Sequence, residues 1–525
     1  MPSIEEAKKL RNESIDLSVD PMNLPQTETE KKLASIWSEL LRLESDSVLH
    51  REASFFDVGG HSLLSTRLVS SIRDTFGVHL TLADILSSPE LCAIASLIDQ
   101  SVGGSSESST TTEVGKMEKK VVLPLEAVLD ASIYPAATRK AGYSRYRVEM
   151  VALPPRNLFL TGATGFLGVH LLHALLKYST SVVFCLVRAT DEDAAMERIK
   201  NSLKEFALLD EAQKFHLEDR VVPVPGNLAQ PLLGLDADTF KMLATEIDAI
   251  LHNGADVNLV KPYSALKSVN VLGTQEVLRL AVTNGLAKTR VKPVHYVSTN
   301  GVFPSTLAAP KFLETADLSE MSDQLDNGYA QSKWVSEQMC HEAAHRGLPV
   351  SVLRPGNMAP SSLTGQWNSS DFIYLLLKGC ASLGAVPARS DWFFDMTPVD
   401  YAARTIVHFA ALRPAEALGQ TLHIQNPSLP VKSDVFFPFF TGAMTTKNLV
   451  AIEYADWKHK VHEAAAKADA TLELQRLAAG IDSFEVYFQS DKVFDSTLST
   501  ELLQAADISC PTVNQDLLVT YTAKW

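Results

Sequence analysis

The stretch that most constrains the fold is Thr161-Gly162-Ala163-Thr164-Gly165-Phe166-Leu167-Gly168. It follows a short apolar run, Asn157 to Thr161 (NLFLT), and leads into Leu167 to Leu176 (LGVHLLHALL), which reads as a helix. Glycines spaced GxxGxxG between a strand and a helix let the backbone turn tightly and approach a pyrophosphate, which then rests on the positive end of the helix dipole. A tight packing turn would use the same glycines, but the strand–turn–helix context is what a dinucleotide site requires. Gly162, Thr164, Gly165, Phe166, Leu167 and Gly168 are therefore candidate cofactor-binding residues.

Beyond this turn the texture repeats. Val182 to Val187, Ile247 to Leu251, Val294 to Val297 and Val350 to Leu353 are short apolar runs with helical stretches between them. Buried strands alternating with helices argue a parallel, doubly wound sheet. Upstream, residues 25–100 read as a small bundle of three or four helices. Thr27 and Glu30 form a capping-box pattern, followed by Leu33, Ile36, Trp37, Leu40 and Leu41 on one face. A second helix starts near Ser62 with Leu64, Leu68 and Ile72, and a third carries Leu91, Ile94, Ala95 and Ile98. Between bundle and sheet, residues 101–120 (SVGGSSESSTTTEVGKMEKK) read as a flexible tether, spanning about 25 Å as a random coil. In the last hundred residues, Trp457, Phe484 and Phe488 are expected in a core rather than on a ligand.

Composition narrows the function classes. A net charge of −15 disfavours non-specific nucleic-acid binding. Five scattered cysteines without zinc spacing argue against a disulfide framework and against any metal site. No run of 18 apolar residues and no signal-peptide pattern is present, so the expectation is a cytoplasmic chain with no membrane partner.

Two further patterns carry chemistry. The strand Val182 to Val187 runs into Arg188, with Arg198 ten residues on; arginines there suit a 2′-phosphate and point to NADPH, although Asp191, Glu192 and Asp193 could instead pair with them. A Tyr-x-x-x-Lys pair stacks a phenol and an ammonium on one helical face, and the ammonium would lower the tyrosine pKa for proton transfer. The chain holds four such pairs: Tyr263/Lys267, Tyr329/Lys333, Tyr374/Lys378 and Tyr454/Lys458. Tyr329 and Tyr263 both follow a strand, and spacing alone does not separate them.

The glycine spacing resembles that of extended short-chain dehydrogenases/reductases. In that class a V-S-T at a strand end precedes Y-x-x-x-K by about thirty residues, which the resemblance maps onto Thr299, Tyr329 and Lys333 as the catalytic triad. Asn253-Gly254-Ala255 and Arg354-Pro355-Gly356 match cofactor-side segments, so Asn253, Gly254, Ala255, Pro355 and Asn357, together with Lys333, are implied to contact the dinucleotide. Gly226-Asn227-Leu228 stands where the family has G-D-L, placing Asn227 and Leu228 near the adenine, with Asn227 departing from the usual acid. Phe55 to Leu63 (FFDVGGHSL) closely resembles the signature of peptidyl carrier (thiolation) domains, whose serine, here Ser62, bears 4′-phosphopantetheine.

In this order the pieces resemble the thiolation–reductase part of nonribosomal peptide synthetases, carboxylic acid reductases and aminoadipate reductases. The implied fold is a small all-α four-helix carrier bundle, then an α/β Rossmann-fold extended dehydrogenase with a mainly helical C-terminal substrate subdomain. The expected boundaries are 1–24 linker, 25–100 carrier, 101–120 tether and 121–525 reductase. Within the last, the Rossmann core covers about 151–358 and 397–425 and the subdomain about 359–396 and 426–525. The implied activity is NADPH-dependent release of an acyl or aminoacyl thioester as an aldehyde, with possible onward reduction to an alcohol left open. The implied partners are an upstream adenylation domain in cis and a phosphopantetheinyl transferase, so the chain is expected to be an excised portion of something longer. Two other readings stay open here: a non-redox, Dieckmann-type release domain, and an inactive docking scaffold for the carrier.

Overall fold

The computed structural model describes residues 24–41, 49–55, 58, 68–69, 71–73, 75–78, 80, 85, 90–103, 121–135, 154–259, 261–283, 291–304, 311–325, 327–467, 469–489 and 491–525. The chain divides into two units, Met1–Lys120 and Val121–Trp525.

In the first unit, helix α1 (Glu28–Leu41) opens on the expected capping box. Glu30 N–H donates to Thr27 Oγ1 at 3.0 Å, and Thr27 N–H donates back to Glu30 Oε2 at 3.3 Å. Leu33 and Trp37 from α1 meet Phe55, Leu68, Ile72, Leu91, Ile94 and Ile98 in one core. Helix α2 (Leu91–Gly103) runs three residues into the stretch expected to be tether, so residues 101–103 are its last turn. Ser62, Leu64 and residues 104–120 lie outside the described residues.

The second unit begins with a strap. A short helix, α3 (Leu123–Glu126), precedes Leu129 and Ile133, all three leucine or isoleucine anchors being buried in the sheet's core. The Arg346 guanidinium fixes this strap by donating to the carbonyls of Leu129, Asp130 and Ile133. The sheet itself has seven strands: β1 (Asn157–Thr161), β2 (Val182–Val187), β3 (Val221–Pro225), β4 (Ala249–His252), β5 (Val294–Val297), β6 (Val350–Pro355) and β7 (Thr421–Ile424). Their order is β7-β6-β5-β4-β1-β2-β3, with every pairing parallel. The direction of winding reverses between β1 and β4, so a crevice opens at their carboxyl ends, where such sheets hold ligands.

Both faces of the sheet are covered, which is why its strands read as unbroken apolar runs. Along β1, Leu158 and Leu160 enter one core and Phe159 the other. Helices α4 (Phe166–Tyr178), α5 (Glu192–Glu205) and α11 (Val399–Val407) pack on the first side. On the second lie α6 (Ala237–Glu246), α7 (Tyr263–Lys267), α8 (Gly273–Val282) and α9 (Gly328–His345). A third core gathers α10 (Phe372–Leu383) with Trp392, Phe436, Trp457 and Phe488, apart from the two cores that cover the sheet. Trp457 and Phe488 are core residues, as expected; the Phe484 side chain lies outside the described residues.

Two strands escaped the sequence reading. β3 carries Pro223 and Pro225, which argue against a strand unless it lies at an edge, and β3 is the edge next to β2. β7, the opposite edge, reads Thr-Leu-His-Ile, in which two polar residues break the apolar run that marked the other strands.

Candidate active site

The site is built at the carboxyl ends of β1, β4, β5 and β6. At the end of β1, Gly162 adopts φ +72°, in the left-handed region, and a Cβ there would lie 2.7 Å from Gly254 Cα at the end of β4. A Cβ on Gly168 would fall 1.8 Å from Gly162 O, so only glycine lets α4 begin this close to the turn. Gly165 is the N-cap of α4 and supplies no capping side chain; a Cβ on it would meet nothing nearer than 3.6 Å. The first turn of α4 thus presents backbone N–H groups at an open edge, with Thr164, Phe166 and Leu167 partly exposed around it. That cradle fits a pyrophosphate. Asn253 Nδ2 donates to Gly162 O at 3.4 Å, Ala255 follows on the same loop, and Leu228 Cδ1 packs against Gly254. Asn227 Oδ1 accepts from Ala229 N–H and so closes the turn after β3.

At the end of β2 the two arginines converge. Arg198 reaches back from α5, and its Nη1 donates to the carbonyl of Arg188 at 2.7 Å, with Arg188 itself exposed. Asp191 is used otherwise, as the N-cap of α5, where it accepts from Ala194 N–H and Thr190 Oγ1. Two cations beside the glycine cradle suit a 2′-phosphate.

On the other side of the crevice, β5 ends at Val297, and Thr299 caps a short 3-10 turn by accepting from Gly301 N–H at 3.1 Å. Asn327 caps α9, whose first turns carry Tyr329 and Lys333. Lys333 Nζ donates to Val297 O at 2.7 Å and lies 4.2 Å from the centroid of the Tyr296 ring. Burial pushes this amine down to about 7. The expectation that Lys333 lowers the Tyr329 phenol is not met in this geometry. Burial pushes Tyr329 upward, while the Lys333 amine faces Val297 O and the Tyr296 ring. Behind them, Pro355 ends β6, and Asn357 accepts from Thr397 N–H and donates its own N–H to the Asp395 carboxylate. Burial raises that carboxyl to about 7.

The solved terminal R domain from the myxalamid PKS-NRPS biosynthetic pathway is 40% identical to this chain, covering 76% of it and 96% of that domain, with a TM-score of 0.65. The chain belongs to the terminal reductase-domain family of nonribosomal peptide synthetases. Residues 160–406 also match the family described as Male sterility protein, and residues 31–98 match Phosphopantetheine attachment site. A thiolation-reductase di-domain from an archaeal non-ribosomal peptide synthetase shares the fold across both units, at 21% identity, 96% and 98% coverage and a TM-score of 0.62. Among curated proteins, the L-2-aminoadipate reductase of Schizosaccharomyces pombe is 32% identical over 82% of this chain, and the match covers 30% of that protein. The chain spans less than half the length of the curated relatives compared with it.

Within this terminal reductase the other three Tyr-x-x-x-Lys pairs are occupied structurally. Tyr263 Oη donates to Glu126 Oε2 at 3.1 Å and Lys267 pairs with the same carboxylate, tying the strap to α7. Lys378 lies over the rings of Tyr374 and Trp525, and Tyr454 donates to Glu485 beside Lys458. The carrier serine, Ser62, falls inside the matched attachment region but outside the described residues.

A buried polar group behind the site was missed in the sequence. Glu337, one turn beyond Lys333, accepts from Ser298 Oγ at 2.5 Å and from Arg354 Nη2 and Nε at 2.5 and 3.2 Å. Burial opposes charge on Glu337, but the Arg354 guanidinium holds its carboxyl well below the usual range. The i, i+4 step from Lys333 to Glu337 was legible; its partner, 17 residues on in β6, was not. Among the described residues no cluster of three or more His, Cys, Asp or Glu could hold a metal, and no helix is long and apolar enough to cross a membrane.

Proposed function

We propose that this chain releases an acyl or aminoacyl thioester, carried on 4′-phosphopantetheine at Ser62, by NADPH-dependent reduction to an aldehyde. The observation that carries the reading is the meeting, at one sheet edge, of a glycine cradle flanked by Arg188 and Arg198 with the Thr299, Tyr329 and Lys333 side chains. NADPH, when bound, supplies the hydride, and the pantetheine arm supplies the thioester. The chain's own residues do the rest. Backbone N–H groups at the start of α4 hold the pyrophosphate, and the two arginines neutralise the 2′-phosphate. Gly301 N–H already donates to Thr299, which leaves the threonine hydroxyl proton to give to an oxyanion developing at the end of β5. Tyr329 Oη gives that oxygen its proton. Lys333, fixed on Val297 O, holds the helix against β5 and presents its amine to the cofactor ribose.

The carrier's partners in this proposal are an upstream adenylation domain in the same polypeptide and a phosphopantetheinyl transferase, in a cytoplasmic setting. The test is direct: prime the chain with an acyl-phosphopantetheine, add NADPH, and follow 340 nm absorbance alongside the released product. Aldehyde formed with one NADPH consumed per acyl group is expected, and alcohol with two would extend the reaction by a second reduction. Product release without NADPH loss would replace the proposal with non-redox release, and no release at all would leave a scaffold. Ser62→Ala should take up no phosphopantetheine by mass spectrometry.

A further inference from the structure

A series of buried polar side chains joins the cofactor turn to the helix that carries Tyr329, and no step above uses them. Gly254 N–H donates to Thr161 Oγ1 at 2.8 Å, and that hydroxyl lies 2.7 Å from His252 Nδ1. On the ring's other side, His252 Nε2 lies 2.9 Å from Thr274 Oγ1, which donates to Asn270 O at 2.6 Å. Asn270 Nδ2 then donates to Ser332 Oγ at 2.8 Å, and Ser332 Oγ donates to Tyr329 O at 2.8 Å. Thr161, His252, Asn270, Thr274 and Ser332 are all buried. Asn270 sits in a π turn, Ser268–Leu272, between α7 and α8, a local irregularity common at functional positions.

The proton positions follow from what each atom can do. A carbonyl oxygen only accepts, so Thr274 gives its single proton to Asn270 O and has none left for the ring. His252 must then carry its proton on Nε2. The other tautomer would set two lone pairs facing each other across 2.9 Å. Nδ1 is therefore bare and takes the proton of Thr161, which in turn accepts from Gly254. Burial and the nearby Lys333 push the imidazole down to about 3, so it remains neutral in this position.

We propose that His252, locked as the Nε2–H tautomer, is a positioning residue that couples the dinucleotide turn at β1 and β4 to the helix bearing Tyr329 and Lys333. It passes no proton to substrate, since the Asn270 amide interrupts the series; it sets the spacing of the two halves of the site. The proposal rests on the reading that NADPH binds this turn.

The two nitrogens can be tested separately in the full chain. His252→Asn keeps an acceptor near the Nδ1 position, so NADPH affinity, measured by fluorescence titration, should stay within about threefold, while kcat falls about tenfold with the lost contact to Thr274. His252→Gln keeps a donor near the Nε2 position and should show the reverse, about tenfold weaker NADPH binding with a smaller loss of kcat. Thr274→Val should reproduce the kcat loss with unchanged NADPH affinity, and Thr274→Ser should restore it, which covers the case of a His252 variant that does not fold. 15N NMR of the imidazole should show the proton on Nε2, with no titration between pH 5.5 and 8.5. Equal effects of both His252 variants on affinity and kcat, a loss confined to Tm, failure of serine to rescue, or a proton on Nδ1 would each overturn the proposal. If the unmodified chain does not reduce a carrier thioester, the functional reading falls, while the affinity pattern and the tautomer still decide this one.

Discussion

Replacing Arg354 with Met should destabilise the second unit by about 3–5 kcal/mol, because it leaves a carboxylate buried without its counter-ion. Glu337 and Arg354 are each 1% exposed. With the guanidinium gone, Glu337 keeps only the Ser298 hydroxyl at 2.5 Å and the half-exposed His341 ring, whose Nε2 is 3.6 Å away. Neither replaces the paired hydrogen bonds from Arg354. The double variant Arg354→Met/Glu337→Leu removes both charges and should recover most of the loss, since apolar side chains of similar volume avoid the desolvation penalty. Urea unfolding followed by tryptophan fluorescence reads this unit, because every tryptophan except Trp37 lies in it. The pair also reaches the chemistry: Ser298 precedes Thr299, so Arg354→Met should reduce turnover more than NADPH affinity. A single variant losing under about 1 kcal/mol, or a double variant no more stable than the single, would refute the assignment of a coupled buried pair.

Arg198→Ala should weaken NADPH binding by about tenfold, the low end for an exposed charge-assisted contact, and leave NADH unchanged; an equal loss for both would show that the arginine only braces β2. Tyr329→Phe should abolish reduction of a loaded thioester, whereas Tyr263→Phe should keep turnover and lose about 1 kcal/mol of stability from its bond to Glu126, read by the same unfolding assay. Acid should unfold this unit early. Burial lowers His170 and His423 to about 4 and His252 and His295 to about 3, so below pH 6.5 the unfolded chain binds protons that the folded one refuses. Stability is then full above pH 6.5 and falls by on the order of 1 kcal/mol per pH unit for each imidazole as pH drops towards 4; a flat profile between pH 6.5 and 5 in urea titrations would contradict this.

Much of this was legible because it is local. The glycine spacing after NLFLT, the capping box at Thr27 and Glu30, and the apolar runs of five strands each depend on neighbours a few residues apart, where backbone geometry is set by sequence. The edge strands were not legible, since the prolines of β3 acquire meaning only once no strand lies beyond it. The boundary of the tether shifted because Ser101 and Gly103, residues that favour linkers, close the last turn of α2.

The sequence by itself determined the class of each unit and the residue types of the site, with four Tyr-x-x-x-Lys pairs among which the family resemblance favoured Tyr329 and Lys333. In the tertiary structure Tyr263, Lys378 and Tyr454 have partners of their own, while Lys333 sits on Val297 O at the carboxyl end of β5. That structure decided where the charges and protons sit: Arg198 on the Arg188 carbonyl, Glu337 on Arg354, and the His252 proton on Nε2. Those states depend on burial and on partners up to 93 residues away in the chain. No local pattern records a distance that only the closed sheet creates.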